Sequence, residues 1–463
     1  MKIQDYKNIC KYSDNVLLSR KSNFLTHAIS RLHILKEHPE VTKEYHSSWI
    51  KNFTKKNFLI KNFFFLLNFF LERKNFYKHQ SNNPVKKIDY LIISPLINSK
   101  FLNLEEDFYF GNIEKNIKKK FKTKIVFRNF TNSRSKNLFK KLKKKNRIIL
   151  SSRSDIFSEF SFVFLAFKEY IFFKFNFKNF QHCSLLDFAS IVTNLRLAKQ
   201  IIEIIKITNP RIVLFTYEGH AWERVLNKAI KNFCNKIKTA GYQFTVTTRH
   251  QHSLFRPLKE GYNPDYILTT GEITKKIFTN RYKKTVMGVE AIGSNKFIKI
   301  NKKKHLSDSI LIVPEAFEAE TKKMLEFSID SSMAFPKKNF IFRMHPMYSK
   351  FSILRKIKLP KNLVISKQSL KKDMEESRFL IFRGSAVVFQ ACMNDILPLY
   401  LKSQNELNFN PMFDIFPNIL NIKNKDDLKK IFLNKKLYKY RLILKKFSNQ
   451  YFEKSNFRFL AKI

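Results

Sequence analysis

Glycine, cysteine and acidic side chains are all scarce in this chain, and each shortage removes a class of reading. The cysteines number 4 in 463 residues. Cys10, Cys183, Cys234 and Cys392 share no C-x-x-C spacing, which excludes a zinc knuckle and a disulfide framework and leaves reduced, mostly buried thiols. No Asp-x-Asp occurs, so no acidic pair is offered to a divalent ion on a diphosphate. His250 and His252 stand two apart with no third ligand near in sequence, and neither a metal nor a cofactor is expected. The stretch MKIQDYKNIC lacks the apolar core of a secretion signal. Phe58–Leu71 and Phe160–Phe173 are the most apolar runs, and each is broken by Lys, Asn or Glu short of the ~20 apolar residues that span a bilayer. A cytoplasmic protein is expected, touching at most the inner face of a membrane.

Against 37 acidic residues stand 88 basic ones, a net charge of +51. Of the basic residues 69 are Lys and 19 Arg, and Phe numbers 50. That is the pattern of A/T-rich codons, and it accounts for the charge first, with attraction to anionic lipid second. No run alternates basic and aromatic residues as an RNA-binding sheet does, and nucleic acid is not an expected partner. Residues 114–147, with Lys118-Lys119-Lys120 and Lys143-Lys144-Lys145, are the candidate membrane-facing patch. Six of the 8 glycines lie between 219 and 293. Where glycine is this scarce, those positions are read as sharp turns or places of ligand approach.

What is present is a regular alternation. Residues 1–80 read as helical and irregular. Asp89–Ser94, Lys124–Phe127, Arg147–Leu150 and Arg211–Thr216 are expected strands, and Leu185–Lys206 a helix stopped by Asn209-Pro210. After Tyr217-Glu218-Gly219-His220, the residues Trp222, Val225, Leu226, Ala229, Ile230 and Phe233 fall on one face of a helix. Glu223, Arg224, Lys228 and Lys231 fall on the other. Strands follow at Gly241–Thr247 and Asp265–Thr269. Residues 309–401 repeat the scheme, with strands at Ser309–Val313, Asn339–Arg343, Asn362–Ile365, Phe379–Phe382 and Leu397–Leu401. This alternation implies an α/β chain of two Rossmann-like, doubly wound domains with a cleft between them, and the length fits two cores. Breaks at Gly288, Gly293-Ser294 and Asn301–Lys304 set an N-terminal domain at 1–290 and a C-terminal domain at 291–425. Residues 426–463 read as helices that can cross back over the first domain.

Ligands of open α/β sheets sit beyond the carboxyl ends of strands. Three segments place chemistry there. Glu218 follows a buried strand, with Gly219 and His220 beside it. Arg343, His345 and Pro346 end the strand FIFR. Arg383, Gly384 and Ser385 open the helix AVVFQAC, whose start can bind phosphate oxygens. Each has a plainer reading: a carboxylate favoured by the helix dipole, a histidine bonded at a turn, an N-cap serine. Gln243 and Glu315 are further site candidates.

Taken in order, TYEGHAWER, Gly241-Tyr242-Gln243, NPDYILTTG, Pro314-Glu315, FRMHP and FRGSAVVFQA resemble a family of bacterial surface-carbohydrate biosynthesis proteins. More remotely they resemble GT-B sialyltransferases and polysialyltransferases. The resemblance spans roughly residues 205–405. It implies a GT-B fold and glycosyl transfer in surface polysaccharide or lipopolysaccharide synthesis, from a nucleotide-activated, CMP-linked sugar to a glycan or lipid-linked acceptor, with residues 1–290 as the acceptor side and 291–425 as the nucleotide-sugar-binding domain. By it, Glu218 matches the catalytic carboxylate, His345 the His-Pro histidine that holds the nucleotide phosphate, and Ser385 the Ser-containing nucleotide motif. Tyr217 stands where the sialyltransferases have a first acidic residue, and Gly384-Ser385 where they have paired Ser or Thr. The His-Pro after a strand is also similar to the polyol-phosphate transferases of teichoic acid synthesis. Outside the enzymes, the alternative is a basic nucleic-acid-binding or scaffold protein without catalysis.

Overall fold

The structure is a computed structural model that describes residues 3–34, 87–131, 133, 135–144, 146–177, 185–256, 258–259, 261–295, 309–315, 318–345, 357–403 and 407–463. The Phe58–Leu71 run, Cys183 and Pro346 lie outside these residues.

Short apolar runs bounded by turn residues become strands. In the first half these are β1 (Tyr90–Leu96), β2 (Thr123–Asn129), β3 (Arg147–Ile149), β4 (Ile212–Thr216), β5 (Lys238–Gln243), β6 (Tyr266–Thr269) and β7 (Gly288–Ala291). They form one sheet in the order β3-β2-β1-β4-β5-β6-β7, paired in parallel throughout. In the second half β8 (Ser309–Val313), β9 (Phe340–Phe342), β10 (Leu363–Ile365), β11 (Ser377–Phe382), β12 (Leu397–Leu401) and β13 (Asn421–Ile422) form a parallel sheet ordered β10-β9-β8-β11-β12-β13. Every residue of β4 and β8 is buried, as a parallel sheet covered on both faces requires. The chain is thus α/β with two doubly wound, Rossmann-like sheets, as the alternation implies.

The helices that cover these sheets are α1 (Ile3–Leu17), α2 (Asn112–Lys118), α3 (Ser135–Lys141), α4 (Ile156–Asn176), α5 (Leu185–Thr208), α6 (Ala221–Phe233), α7 (His252–Phe255) and α8 (Glu272–Tyr282). The second half adds α9 (Glu318–Ala334), α10 (Leu370–Glu375), α11 (Val387–Met393), α12 (Lys425–Leu433) and α13 (Lys439–Tyr451). Two details depart from expectation. The strand read at Gly241–Thr247 runs from Lys238 to Gln243, because Thr247 leaves the sheet and bonds the Tyr451 hydroxyl through its N–H (2.6 Å) and its own hydroxyl (2.8 Å). Gly288, read as a break, begins β7, a four-residue edge strand paired with β6.

Helix α6 is not amphipathic in the expected sense. Glu223, Arg224 and Asn227 are as buried as Trp222 and Leu226, because Ser253, Gly261 and Asn263 lie over the face that carries Arg224 and Asn227 and bond them. Arg224 donates to the Ser253 carbonyl (2.8 Å), to the Asn263 side-chain oxygen and to the Tyr282 hydroxyl (3.3 Å). A buried guanidinium is tolerable when both terminal nitrogens are bonded in this way.

The two halves are stitched together by the C-terminal segment. α13 packs in the second-half core through Leu444 and Tyr451, and the chain then crosses the ends of β6 and β7. Thr270 donates its hydroxyl to the Tyr451 carbonyl (2.9 Å), the Ser294 N–H donates to the Glu453 carbonyl (2.9 Å), and the Asn456 N–H to that of Ile292 (2.8 Å). Leu460 ends in the first-half core beneath β1. The crossing passes so close that a Cβ on Gly293, whose φ is +80°, would lie 2.5 Å from the Lys454 carbonyl oxygen. Gly293→Ala is therefore expected to lower unfolding free energy by about 1–3 kcal/mol through left-handed strain and this clash. A denaturant titration measures it; an unchanged midpoint would show that the crossing yields freely.

Candidate active site at two facing strand edges

Each sheet reverses its strand order once, between β1 and β4 in the first and between β8 and β11 in the second. At such a point the connections leave toward opposite faces and open a crevice at the carboxyl ends of the strands. Glu218 follows β4. Glu315 follows β8, and Gly384-Ser385 follow β11. The loops that leave the carboxyl ends of β5 and β12 touch: an Arg249 nitrogen lies 3.7 Å from Asp414, and the His250 and Phe409 rings meet edge-on with centroids 6.0 Å apart. The carboxyl edges of the two sheets therefore face each other, with Glu218 on one and Glu315, Gly384 and Ser385 on the other.

The turn that carries Glu218 is held from beneath. The Glu223 carboxylate, buried in the first turn of α6, accepts the N–H groups of Glu218 (3.0 Å), Gly219 (2.7 Å) and His220 (2.9 Å). The Glu218 side chain remains 22% exposed, with its carboxylate 3.6 Å from the His220 ring nitrogen. Gly219 adopts φ +86°, and a Cβ there would press on the Leu254 nitrogen and the Ser253 hydroxyl at 2.7 Å. The space above Gly219 is thus filled by the chain itself, and this glycine serves the turn.

Around Glu218 stand groups that the sequence did not single out. Tyr109, on the loop after β1, has its hydroxyl pKa pushed up by burial and next by the negative charge of Glu218, so the two share one field. Its ring meets Phe244, just beyond β5, with centroids 4.8 Å apart. At the end of β2 the Arg128 guanidinium lies 4.0 Å from the Trp222 ring centroid. Tyr109 is thus the ring tied to Glu218, whereas Arg128 feels the charge of the buried Glu223. Gln243 is fully buried and donates to the Thr245 carbonyl, positioning the loop after β5.

On the second edge the structure divides the expected phosphate ligands. Arg343 donates to Asp373 (2.7 Å) and to the Gln368 carbonyl (2.8 Å), bracing α10. Arg383 is 2% exposed, pairs with Glu320 through its Nε and donates to the Leu401 carbonyl (3.0 Å). Both guanidinium groups are engaged in internal ion pairs. His345 and Ser385 are half-buried at the edge. Gly384 makes room for Glu315, whose carboxylate oxygen would meet a Cβ at 2.1 Å. Among the described residues no group of three or more His, Cys, Asp or Glu side chains is placed to hold a metal ion.

No family model and no curated protein sequence matches the chain. Solved structures do. The UDP-GlcNAc 2-epimerase of Neisseria meningitidis bound to UDP-GlcNAc is 12% identical, with 78% of this chain and 95% of that one covered and a TM-score of 0.45. The glycosyltransferase SnogD of Streptomyces nogalater is 9% identical over 80% and 96%, at 0.45. The wall teichoic acid polymerase TagF is 10% identical over 78% and 84%, at 0.40. At such identities the chemistry of this chain has to be argued from its own residues.

Burial pushes the Glu223 carboxyl from 4.5 up to about 7, with its backbone donors and His220 opposing the rise. A carboxyl that binds its proton more tightly when folded adds stability at low pH, and this is lost as pH rises from about 4.5 through about 7. Wild-type protein is expected to lose about 3 kcal/mol across that window relative to Glu223→Gln. The Gln variant should be less stable at every pH, since one amide oxygen cannot replace a carboxylate facing three donors. Parallel denaturation curves for the two proteins at every pH would show that Glu223 stays ionised throughout.

Proposed function

We propose that this chain is a glycosyltransferase that moves a sugar from a nucleotide-activated donor to a hydroxyl of a glycan or lipid-linked acceptor in surface-carbohydrate synthesis. The observation that carries the reading is the pair of switch points on facing edges, one bearing a partly exposed carboxylate on a rigid turn. Glu218 is the general base. It takes the proton of the acceptor hydroxyl as that oxygen bonds to the anomeric carbon, while the bond from that carbon to the donor phosphate breaks and the nucleotide leaves with the electron pair. His220, 3.6 Å from that carboxylate, orients it or the acceptor.

The donor takes the second edge. His345 and the Ser385 hydroxyl meet the phosphate, and Glu315 accepts from sugar or ribose hydroxyls. Arg343 and Arg383 keep their expected place in the nucleotide half, but as braces that fix these loops through Asp373 and Glu320. The resemblance of TYEGH, FRMHP and FRGS to surface-carbohydrate and sialyltransferase motifs supports the same division, and favours a CMP-linked donor. With no Asp-x-Asp in the sequence, turnover should survive chelation.

Two measurements test the proposal together. In a thermal-shift panel of CMP, CDP and UDP, one nucleotide should raise the melting temperature by mass action on the folded state. His345→Ala should weaken that shift. With the matching donor, Glu218→Gln should lower turnover about 10²–10⁴-fold while nucleotide binding and melting temperature stay close to wild type. A Gln variant that transfers sugar at the wild-type rate would remove Glu218 as the base and leave Glu315 to be tested. A panel in which no nucleotide stabilises the protein would remove the donor site.

A further inference from the structure

A pocket of about 570 Å³ lies between the end of α2, from Asn116 to Phe121, and the crossing segment, from Ser455 to Ala461. Small organic molecules are held in cavities of about 300–1,000 Å³. The pocket opens on the face of the first sheet that α2 covers, toward the amino ends of the strands. Phe121 precedes β2 and packs on Tyr90, the first residue of β1, with ring centroids 5.3 Å apart. The Tyr90 hydroxyl in turn donates to the Leu460 carbonyl. Glu218 follows the carboxyl end of β4, in a sheet whose strands are all parallel, so this pocket is separate from the cleft.

Its lining is apolar on the buried side and cationic on the exposed side. Ile117 and Leu460 are buried in the first-half core, and Phe121 and Phe457 are half-buried against it. Lys119, Lys120 and Arg458 are exposed, and no acidic side chain lines the pocket. The acids around it serve other groups. Glu114 pairs with Lys118 and lies 3.8 Å from Arg147, and Glu106 lies 3.2 Å from Lys115. Asp89 accepts the N–H of Lys122 at 2.9 Å. Among the described residues, Lys119, Lys120 and Arg458 make no ion pair.

We infer that this pocket binds a phosphate ester with an apolar organic part, its phosphate held by Lys119, Lys120 and Arg458 and its chain against Ile117, Phe121, Phe457 and Leu460. Three cations within one small opening suit a group that carries its negative charge on several acceptor oxygens. Inorganic phosphate would leave the apolar wall in water, and a neutral amphiphile would leave the cations unanswered. An ester that joins the two satisfies both sides, whether it is a soluble molecule or the headgroup of a lipid. One wall of the pocket belongs to α2 of the first half, and the other to the segment that arrives from α13 in the second. An occupant therefore adds contacts across the crossing that joins the halves. The pocket holds its ligand whatever chemistry Glu218 performs.

Octyl phosphate, kept below its micelle concentration, is the probe, with inorganic phosphate and octyl glucoside as its charged and its apolar halves. Binding to the full-length chain is read by calorimetry at high salt, which screens the general attraction of so basic a protein for anions. Octyl phosphate should bind one to one and at least about tenfold more tightly than either half, since burying two methylenes is worth that factor. It should also raise the melting temperature by mass action. Lys119→Ser with Lys120→Ser and Arg458→Ser should lower its affinity at least about tenfold. Ala461→Trp, which sets a large ring at an exposed position of the wall, should block it. Both variants, unliganded, should melt close to wild type. His345→Ala should bind the probe as wild type does, which separates this pocket from the donor site. Phosphatidic acid/phosphatidylcholine vesicles distinguish the source of the ester. Wild type that sediments with them at high salt, and is released by Ala461→Trp, would assign a lipid headgroup; wild type left in solution would assign a soluble ester. Octyl phosphate that binds no more tightly than inorganic phosphate would overturn the proposal, as would equal binding by wild type, the triple variant and Ala461→Trp. Binding lost in His345→Ala would do the same, by placing the probe in the donor site.

Discussion

Three backbone N–H groups converge on the buried carboxylate of Glu223, and the geometry of the first strand edge depends on that contact. A strand cannot pass directly into a helix without leaving donors unpaired at the turn. Here the donors of Glu218, Gly219 and His220 are gathered by one side chain in the following helix. Any of them left unpaired in this dry position would cost about 1–3 kcal/mol. Because the same turn presents Glu218, the exposed carboxylate inherits its rigidity from the buried one. Two glutamates five residues apart thus divide the work, and burial decides which is structural and which reaches solvent.

The neighbouring Arg224 extends this constraint outward. Its donors reach residues 253, 263 and 282, so the loop after β5, the approach to β6 and the end of α8 are tied to one guanidinium. That loop in turn reaches the second half through Val246, which sits in the second core, and through Thr247 on Tyr451. The N-terminal helix joins the same junction. Asp14 accepts from Arg256 and lies 2.9 Å from the His252 ring nitrogen, while Tyr6 and Cys10 share a small cluster with Leu407 and Phe409. The facing of the two strand edges is therefore set by several independent contacts, and a shift at the junction would move Glu218 relative to Glu315 and Ser385.

Much of the fold was legible because parallel strands covered on both faces are uniformly apolar and end abruptly. Arg211–Thr216, Ser309–Val313 and Leu397–Leu401 could be read to within a residue. The edge strand β7 was not, since four residues beginning with glycine carry no such pattern. In the candidate site, local sequence marked which loops follow strands, and so where Glu218, His345 and Ser385 stand. It misplaced Glu223 and Arg224, because helical periodicity reports an average face and cannot see a loop folded over it. The spacing of His220 and Glu223, three apart at a helix start, was the available signal for the cap. It also treated Arg343 and Arg383 as phosphate ligands, although Asp373 and Glu320, far away in sequence, engage both.

The sequence by itself determined the alternation of strand and helix, the two-sheet class and the strand ends that carry polar residues, because these follow from hydrophobic period and turn chemistry along a local stretch of chain. Tertiary structure decided which charges are exposed and which are consumed. The glycines at 219 and 384 were open positions until Ser253, Leu254 and Glu315 were found filling them. Phe160–Phe173 was a broken apolar run until α5 was found packing on Phe162, Ala166, Tyr170 and Phe173 of α4. In each case the deciding partner comes from a distant part of the chain, and Coulomb and packing energies depend on distance in space, which local pattern does not encode.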